Sequence, residues 1–270
     1  MTFSKPKRSP STFATAFRTE VANIATGGLL RKREGRIYNF DVFRFPTYLL
    51  WKRYLDILLS SIAIVLSSPL MVLAAVLIKA TSPGPVFFTQ ERIGINRRRA
   101  QERHSRHPHA NGERRNGERR RARGFGKPFL MYKFRTMVID AEKDGQPKFA
   151  FKGDPRITPL GAILRKARID ELPQFFNVLK GDMSVVGPRP ERAYFLNEID
   201  AEVPTFKYRL RTKPGITGLA QVELGYANDT EGMRRKLGFD LKYIQSINIV
   251  SDIKILYRTI FVVLTGKGAY

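Results

Sequence analysis

The stretch YLDILLSSIAIVLSSPLMVLAAVLI, Tyr54 to Ile78, decides how the rest of this sequence is read. Its 25 residues are interrupted only by Asp56, four serines and Pro69, and about 20 apolar residues suffice to cross a bilayer. The run is apolar on every side, which sets it apart from the one-sided helix of a soluble core. Lys52 and Arg53 precede it and Lys79 follows, so positive charge stands at both ends and gives no orientation. Pro69 lacks a backbone donor and restricts Ser68. Two forms therefore stay open at this point. One is a single kinked span; the other is a hairpin with arms Tyr54 to Ser68 and Pro69 to Lys79 that returns to the face it entered. Arms of that length reach roughly 22 and 16 Å, short of a hydrocarbon layer of about 30 Å.

Working outward, the run is flanked upstream by Tyr48, Leu49, Leu50 and Trp51, residues that suit an entry collar at the membrane boundary. Residues 1–45 read as a polar N-terminal extension, 46–80 as the membrane helix region and 81–270 as a catalytic domain. Thr12 to Ala25 has the composition of a short surface helix. The catalytic part carries an insertion at 97–126, where residues 97–123 hold eleven Arg and three Glu, a net +8, with a tandem NGERR repeat at 111–120. It lacks the apolar residues needed to fold alone. Such a polybasic segment suits an anionic bilayer surface. Nucleic acid is disfavoured, because no aromatic platform is interleaved with the arginines.

The whole chain has 48 Lys and Arg against 24 Asp and Glu, a formal +24, which attracts anions without naming one. The absence of cysteine excludes disulfides, a thiolate nucleophile and a cysteine zinc site. The three histidines, His104, His107 and His109, all lie in the arginine-rich tract. Polar chemistry therefore falls to carboxylates, Arg and Lys.

Local patterns predict strands at Val86 to Gln90, Phe129 to Phe134 and Leu219 to Leu224, with turns at Thr81 to Pro85 and Pro214 to Gly218. Ile157 to Arg168 and Glu191 to Ile199 read as helices, and Leu241 to Leu264 as a long amphipathic helix broken near Val250. Lys207, Arg209, Arg211 and Lys213 form a basic patch. These patterns predict an α+β fold, mainly helical, with short strands and amphipathic surface helices.

The carboxylates that matter are Asp170 and Glu171, followed by Leu172 and Pro173. Proline is tolerated in a first turn, so Asp170 reads as the N-cap of a helix running to Gly181. A helix start would keep Asp170 ionised and receive phosphate. Alone, such a pair is most often a cap and a solvated charge. Arg135, Arg165, Arg168, Arg189 and Lys213 lie in contexts from which they would surround phosphate oxygens.

Five segments then occur in order: Lys133 to Met137 (KFRTM), Ile169 to Gln174 (IDELPQ), Gly181 to Ser184 (GDMS), Val186 to Glu191 (VGPRPE) and Lys213 to Gly218 (KPGITG). Together they resemble the bacterial sugar transferase family, and among it the small monotopic polyprenyl-phosphate phosphoglycosyl transferases. The resemblance implies Asp170 as nucleophile, with Glu171 its partner in a Mg²⁺ site, and Pro188-Arg189-Pro190 at the nucleotide sugar. It implies a monotopic membrane protein whose N-terminal hydrophobic segment is a re-entrant helix hairpin bent at Ser68-Pro69, so that the fold class expected is α+β, mainly helical, with short strands and amphipathic surface helices around that hairpin. It also implies transfer of a sugar phosphate from a UDP-sugar to undecaprenyl (polyprenyl) phosphate, through a covalent aspartyl intermediate, with release of UMP. That would begin exopolysaccharide, O-antigen or glycoconjugate assembly on the cytoplasmic face of the bacterial inner membrane, and it is compatible with a homo-oligomer. The rival reading is a noncatalytic basic protein that binds membrane or nucleic acid. It accounts for the charge but not for the ordered motifs.

Overall fold

The structure, a computed structural model, describes residues 46–96, 125–142, 150–151, 153–203, 205–224 and 230–265. The expected extension at 1–45, the three histidines and all of the insertion but Phe125 and Gly126 lie outside these residues.

Helix α1, Pro46–Thr81, contains the whole apolar run and continues through Pro69. Proline leaves Val65 O without its usual partner. Ser68 Oγ donates to that carbonyl at 2.8 Å, and Ser67 Oγ donates to Ala63 O at 2.6 Å. The expected bend site is thus a repaired point inside one helix, with Ser68 and Pro69 both exposed. Only 17 % of the most apolar window of α1 is buried in the protein, so its apolar surface is not a core surface.

Strands β1 (Phe87–Ile93) and β2 (Pro128–Phe134) pair antiparallel with Phe87 opposite Phe134 and Ile93 opposite Pro128. Beyond Ile93 the ladder narrows to a neck: Gly94 N–H donates to Lys127 O at 2.9 Å and Lys127 N–H to Ile95 O at 3.3 Å. A Cβ on Gly126 would stand 2.3 Å from Gly94 O, so the neck closes only because no side chain is there.

Helix α2 (Pro159–Lys166) is capped by Thr158, whose side chain accepts from Gly161 N–H at 3.0 Å. A 3₁₀ turn, Ile169–Glu171, leads to α3, Gln174–Lys180. Strand β3 (Ser184–Val186) then pairs in parallel with β4 (Gly215–Thr217), across a connection holding α4 (Ala193–Glu202) and a 3₁₀ segment, Phe206–Arg211. Three helices end the described part of the chain: the short α5 (Leu219–Leu224) and the longer α6 (Thr230–Gln245) and α7 (Ile249–Thr265).

Two expectations are corrected here. Leu219–Leu224 is a helix, and the strand lies one motif earlier, inside the expected Pro214–Gly218 turn. Glycine there permits the parallel pairing, since a Cβ on Gly215 would meet Gly187 N at 2.1 Å. The C-terminal break expected near Val250 is present a few residues earlier, at 246–248, where Asn248 Oδ1 accepts from Ser251 N–H at 2.9 Å and starts a new helix. Finally, Arg209 is no part of a surface patch, being 2 % exposed.

The core has three apolar clusters. One joins Ile93 and Phe125 to α4 and α6, one joins β2 and β3 to α6 and α7, and one joins Met71, Ala74 and Ile78 of α1 to Phe134 and Leu164. A buried polar set fastens the start of α1: Asp56 Oδ1 accepts from Ser184 Oγ and Val185 N–H, both at 2.9 Å, and Lys52 Nζ lies 2.5 Å from Asp252 Oδ2.

Candidate active site

The chain reverses sharply between α2 and α3. Arg168 holds the turn with φ +60°, the only non-glycine residue with positive φ among those described. Bonds then run three residues back, from Glu171 N–H to Arg168 O and from Leu172 N–H to Ile169 O, both at 3.2 Å. Pro173 supplies no N–H to continue these bonds, and the α-helix begins after it. As a result Pro173, not Asp170, stands at the N-cap position of α3, and Asp170 lies inside the 3₁₀ turn. The expected capping role and the expected help from a helix field are both corrected. What replaces them is a side chain held inward, 6 % exposed.

Lys133 of β2 faces both carboxylates. Its Nζ lies 2.9 Å from Glu171 Oε1 and 3.7 Å from Asp170 Oδ2. Arg189 grips Glu171 from the other side, with Nη2 2.5 Å from Oε1 and Nη1 3.4 Å from Oε2. These contacts divide the pair. Burial raises the Asp170 carboxyl above its ordinary range, against the pull of Lys133, and the neighbouring Glu171 charge raises it further. Burial opposes ionisation of Glu171 too, but Arg189 and Lys133 outweigh it and hold that carboxyl well below its ordinary value. Its cations hold Glu171 as the anion, while ionisation of Asp170 is opposed by burial and by the Glu171 charge.

A cavity of about 500 Å³ opens beside Asp170, lined on its polar side by Lys133, Arg135, Arg165, Arg168 and Arg189. Arg165 favours the Asp170 anion and Arg168 the Glu171 anion. Arg135 reaches the same cavity, yet its guanidinium donates to Pro83 O at 2.5 Å and to Ser82 O and Oγ at 3.0 and 2.7 Å. It fastens the turn after α1. Lys213 is not among the cavity-lining residues; its Nζ lies beside Gly181, 3.7 Å from where a Cβ would stand. Sequence reasoning did not single out Lys133, although a lysine inside the otherwise apolar strand FLMYKF is the kind of anomaly that marks a site.

Profile comparison matches residues 47–113 and 112–266 to the bacterial sugar transferase family, the two pieces meeting inside the arginine-rich tract. The chain is 45 % identical over 224 residues to the UDP-N-acetylgalactosamine-undecaprenyl-phosphate N-acetylgalactosaminephosphotransferase of Aeromonas hydrophila, covering 83 % of this chain and 46 % of that protein. It is 38 % identical over 222 residues to the UDP-glucose:undecaprenyl-phosphate glucose-1-phosphate transferase of Caulobacter vibrioides, covering 81 % and 72 %. With exopolysaccharide production protein ExoY of Rhizobium meliloti it shares 33 % over 233 residues, 81 % and 88 % of the two chains. The chain belongs to the bacterial sugar transferase family. It spans less than half the length of the Aeromonas relative. The bacterial sugar transferase match covers α1 and every element around Asp170 and Glu171, so the paired carboxylates and their cations lie within the shared part of the chain.

Proposed function

We propose that this protein transfers a sugar phosphate from a UDP-sugar to undecaprenyl phosphate, with Asp170 as the nucleophile. The observation that carries this reading is the unequal pair: Glu171 neutralised by Lys133 and Arg189, and Asp170 beside it with its carboxylate at the cavity. Relatives named for undecaprenyl-phosphate transfer support the substrate class.

Asp170 Oδ attacks the sugar-bearing phosphorus, the bond from that phosphorus to the bridging oxygen breaks, and UMP leaves with the electron pair. An oxygen of the acceptor phosphate next attacks the same phosphorus. The acyl–phosphate bond breaks and Asp170 returns as a carboxylate. Arg189, Arg165 and Arg168 face the cavity to stabilise the phosphoryl oxygens as their charge redistributes. The sugar–oxygen bond is untouched throughout.

The two carboxylates suit Mg²⁺. They already converge on one cation, the Lys133 ammonium, and Mg²⁺ is commonly held by one or two carboxylates with phosphate and water completing its shell. Among the described residues no larger cluster of acidic or histidine side chains competes for the ion. Bound there, Mg²⁺ would neutralise the donor diphosphate.

The acceptor places the reaction at a membrane, and α1 is read as its anchor, re-entrant at Ser68-Pro69. Support comes from where its ends are held. Arg53 donates to Val178 O and Leu179 O, while Ile78 packs with Phe134. The path between those contacts is short, because Asn177 is hydrogen bonded to both Leu130 and Tyr132 of β2. A straight helix would separate residues 53 and 78 by about 37 Å, and a bend at Ser68-Pro69 shortens that separation. A bent helix puts both flanking sets of positive charge on one side, the cytoplasmic face of the inner membrane.

The test is a donor panel. Purified protein with MgCl₂, undecaprenyl phosphate and each of several UDP-sugars is expected to release UMP, and without lipid to gain the mass of one sugar phosphate. Release of UDP, or no lipid-dependent turnover with any donor, sinks the reading.

A further inference from the structure

The loop that carries Arg189 is tied at three consecutive carbonyls. Arg209 Nη2 donates to Arg189 O at 2.9 Å, Arg92 Nη1 to Pro190 O at 3.1 Å, and Ile93 N–H to Glu191 O at 3.0 Å. Prolines at 188 and 190 fix φ on both sides of Arg189 and donate nothing themselves. The direction of the Arg189 side chain therefore depends on what grips its main chain.

Arg209 is built for that grip. Its guanidinium carbon lies 4.7 Å from the centre of the Phe206 ring, its Nη1 donates to Glu191 Oε1 at 3.1 Å, and its Nη2 lies 2.8 Å from Asp240 Oδ2 of α6. Lys236, also on α6, bonds the same Glu191 oxygen at 2.5 Å. A cation buried to this degree is costly unless paired; the Arg209 Nε has no hydrogen-bond partner, and its two Nη atoms carry the pairing. Here the pairing joins the Arg189 loop to α6, a separate element, and leaves Arg209 outside the residues that line the cavity.

We propose that Arg209 is a positioning residue which, by holding the Arg189 main chain, aims the Arg189 guanidinium at Glu171 and at the donor diphosphate. The proposal rests on the reading of Arg189 as a ligand of that diphosphate. A lysine at 209 keeps the charge but cannot stack on Phe206 and bond Arg189 O, Glu191 and Asp240 with a planar fork.

The probe is UDP with MgCl₂, titrated calorimetrically into the full chain in nanodiscs. Arg189→Ala is expected to weaken UDP about tenfold, and Arg209→Lys about fivefold. In the double variant, Arg209→Lys should add less than about twofold, because its effect passes through Arg189. A general loss of structure would instead weaken UDP equally in both backgrounds, and such multiplying losses overturn the proposal. Unchanged affinity in Arg209→Lys overturns it too. Unchanged affinity in Arg189→Ala removes the reading of Arg189 itself, and the proposal with it. Should Arg209→Lys fail to fold, Asp240→Asn, which also lies outside the cavity-lining residues, loosens the same grip and enters the same cycle with the same expected outcomes.

Discussion

Asp56 and Asp170 are buried to nearly the same depth, 4 % and 6 % exposed, but the groups around them differ in kind. Asp56 has a cation near it too, Lys52, but it also accepts two hydrogen bonds, from Ser184 Oγ and Val185 N–H, and does not line the cavity. For Asp170, the groups acting on the carboxylate are charges: Lys133 at 3.7 Å and, further off, Arg165 and Arg189. Burial alone thus does not separate a structural carboxylate from a reactive one. A carboxylate whose lone pairs are filled by the protein fastens two elements together. One that is attracted by cations but opens on a cavity keeps its oxygens for a ligand.

The sharpest way to break this contrast is to remove each charge in turn. Asp170→Asn should lower kcat by about 10³-fold or more and abolish the sugar-phosphate mass adduct, with the melting temperature almost unchanged. UMP release and intact-protein mass read both. Retention of the adduct would leave Asp170 without its assigned role. Asp56→Ala should do the reverse. It strands two buried donors and costs about 2 kcal/mol or more of stability, read as earlier melting in detergent, while the folded fraction keeps its kcat. The smallest effect concerns Glu191. Burial opposes its ionisation, but Lys236, Arg209 and Arg92 hold its carboxyl down at about 2. The unfolded chain takes up that proton first as pH falls. Its stabilisation is therefore complete above the ordinary value of 4.5 and is lost toward 2, a loss of about 1 kcal/mol by pH 4. Melting curves from pH 6 to 4 should show the unsubstituted chain losing about 1 kcal/mol more than Glu191→Gln over that range.

What could be read from the sequence was local. The apolar run, the β1–β2 strands and the helix within 157–168 follow from composition and apolar patterning, and each stands within a few residues of its expected place. Asp170 and Glu171 could be picked out, but the way the chain presents them could not, because it depends on the positive φ of Arg168 and on bonds three residues back. The strand at Gly215–Thr217 is set by a partner some thirty residues earlier, which no local pattern reports. Arg209 looked like surface charge because its partners, Glu191 and Asp240, are distant in sequence on both sides. Lys133 went unweighed for the same reason: its meaning comes from Glu171, 38 residues away.

The neck at Gly94 and Gly126 has a practical side. Because the two strands are already bonded to each other there, and Asn96 N–H is also fixed to Leu210 O at 2.7 Å, the stretch between them begins and ends at one spot. Its length can change with little entropic penalty, since closure grows only with the logarithm of loop size. The neck is thus a natural port: a fluorescent reporter or an affinity module grafted in place of 99–123 would hang from a sealed stem, and the carboxylates would keep the scaffold that holds them.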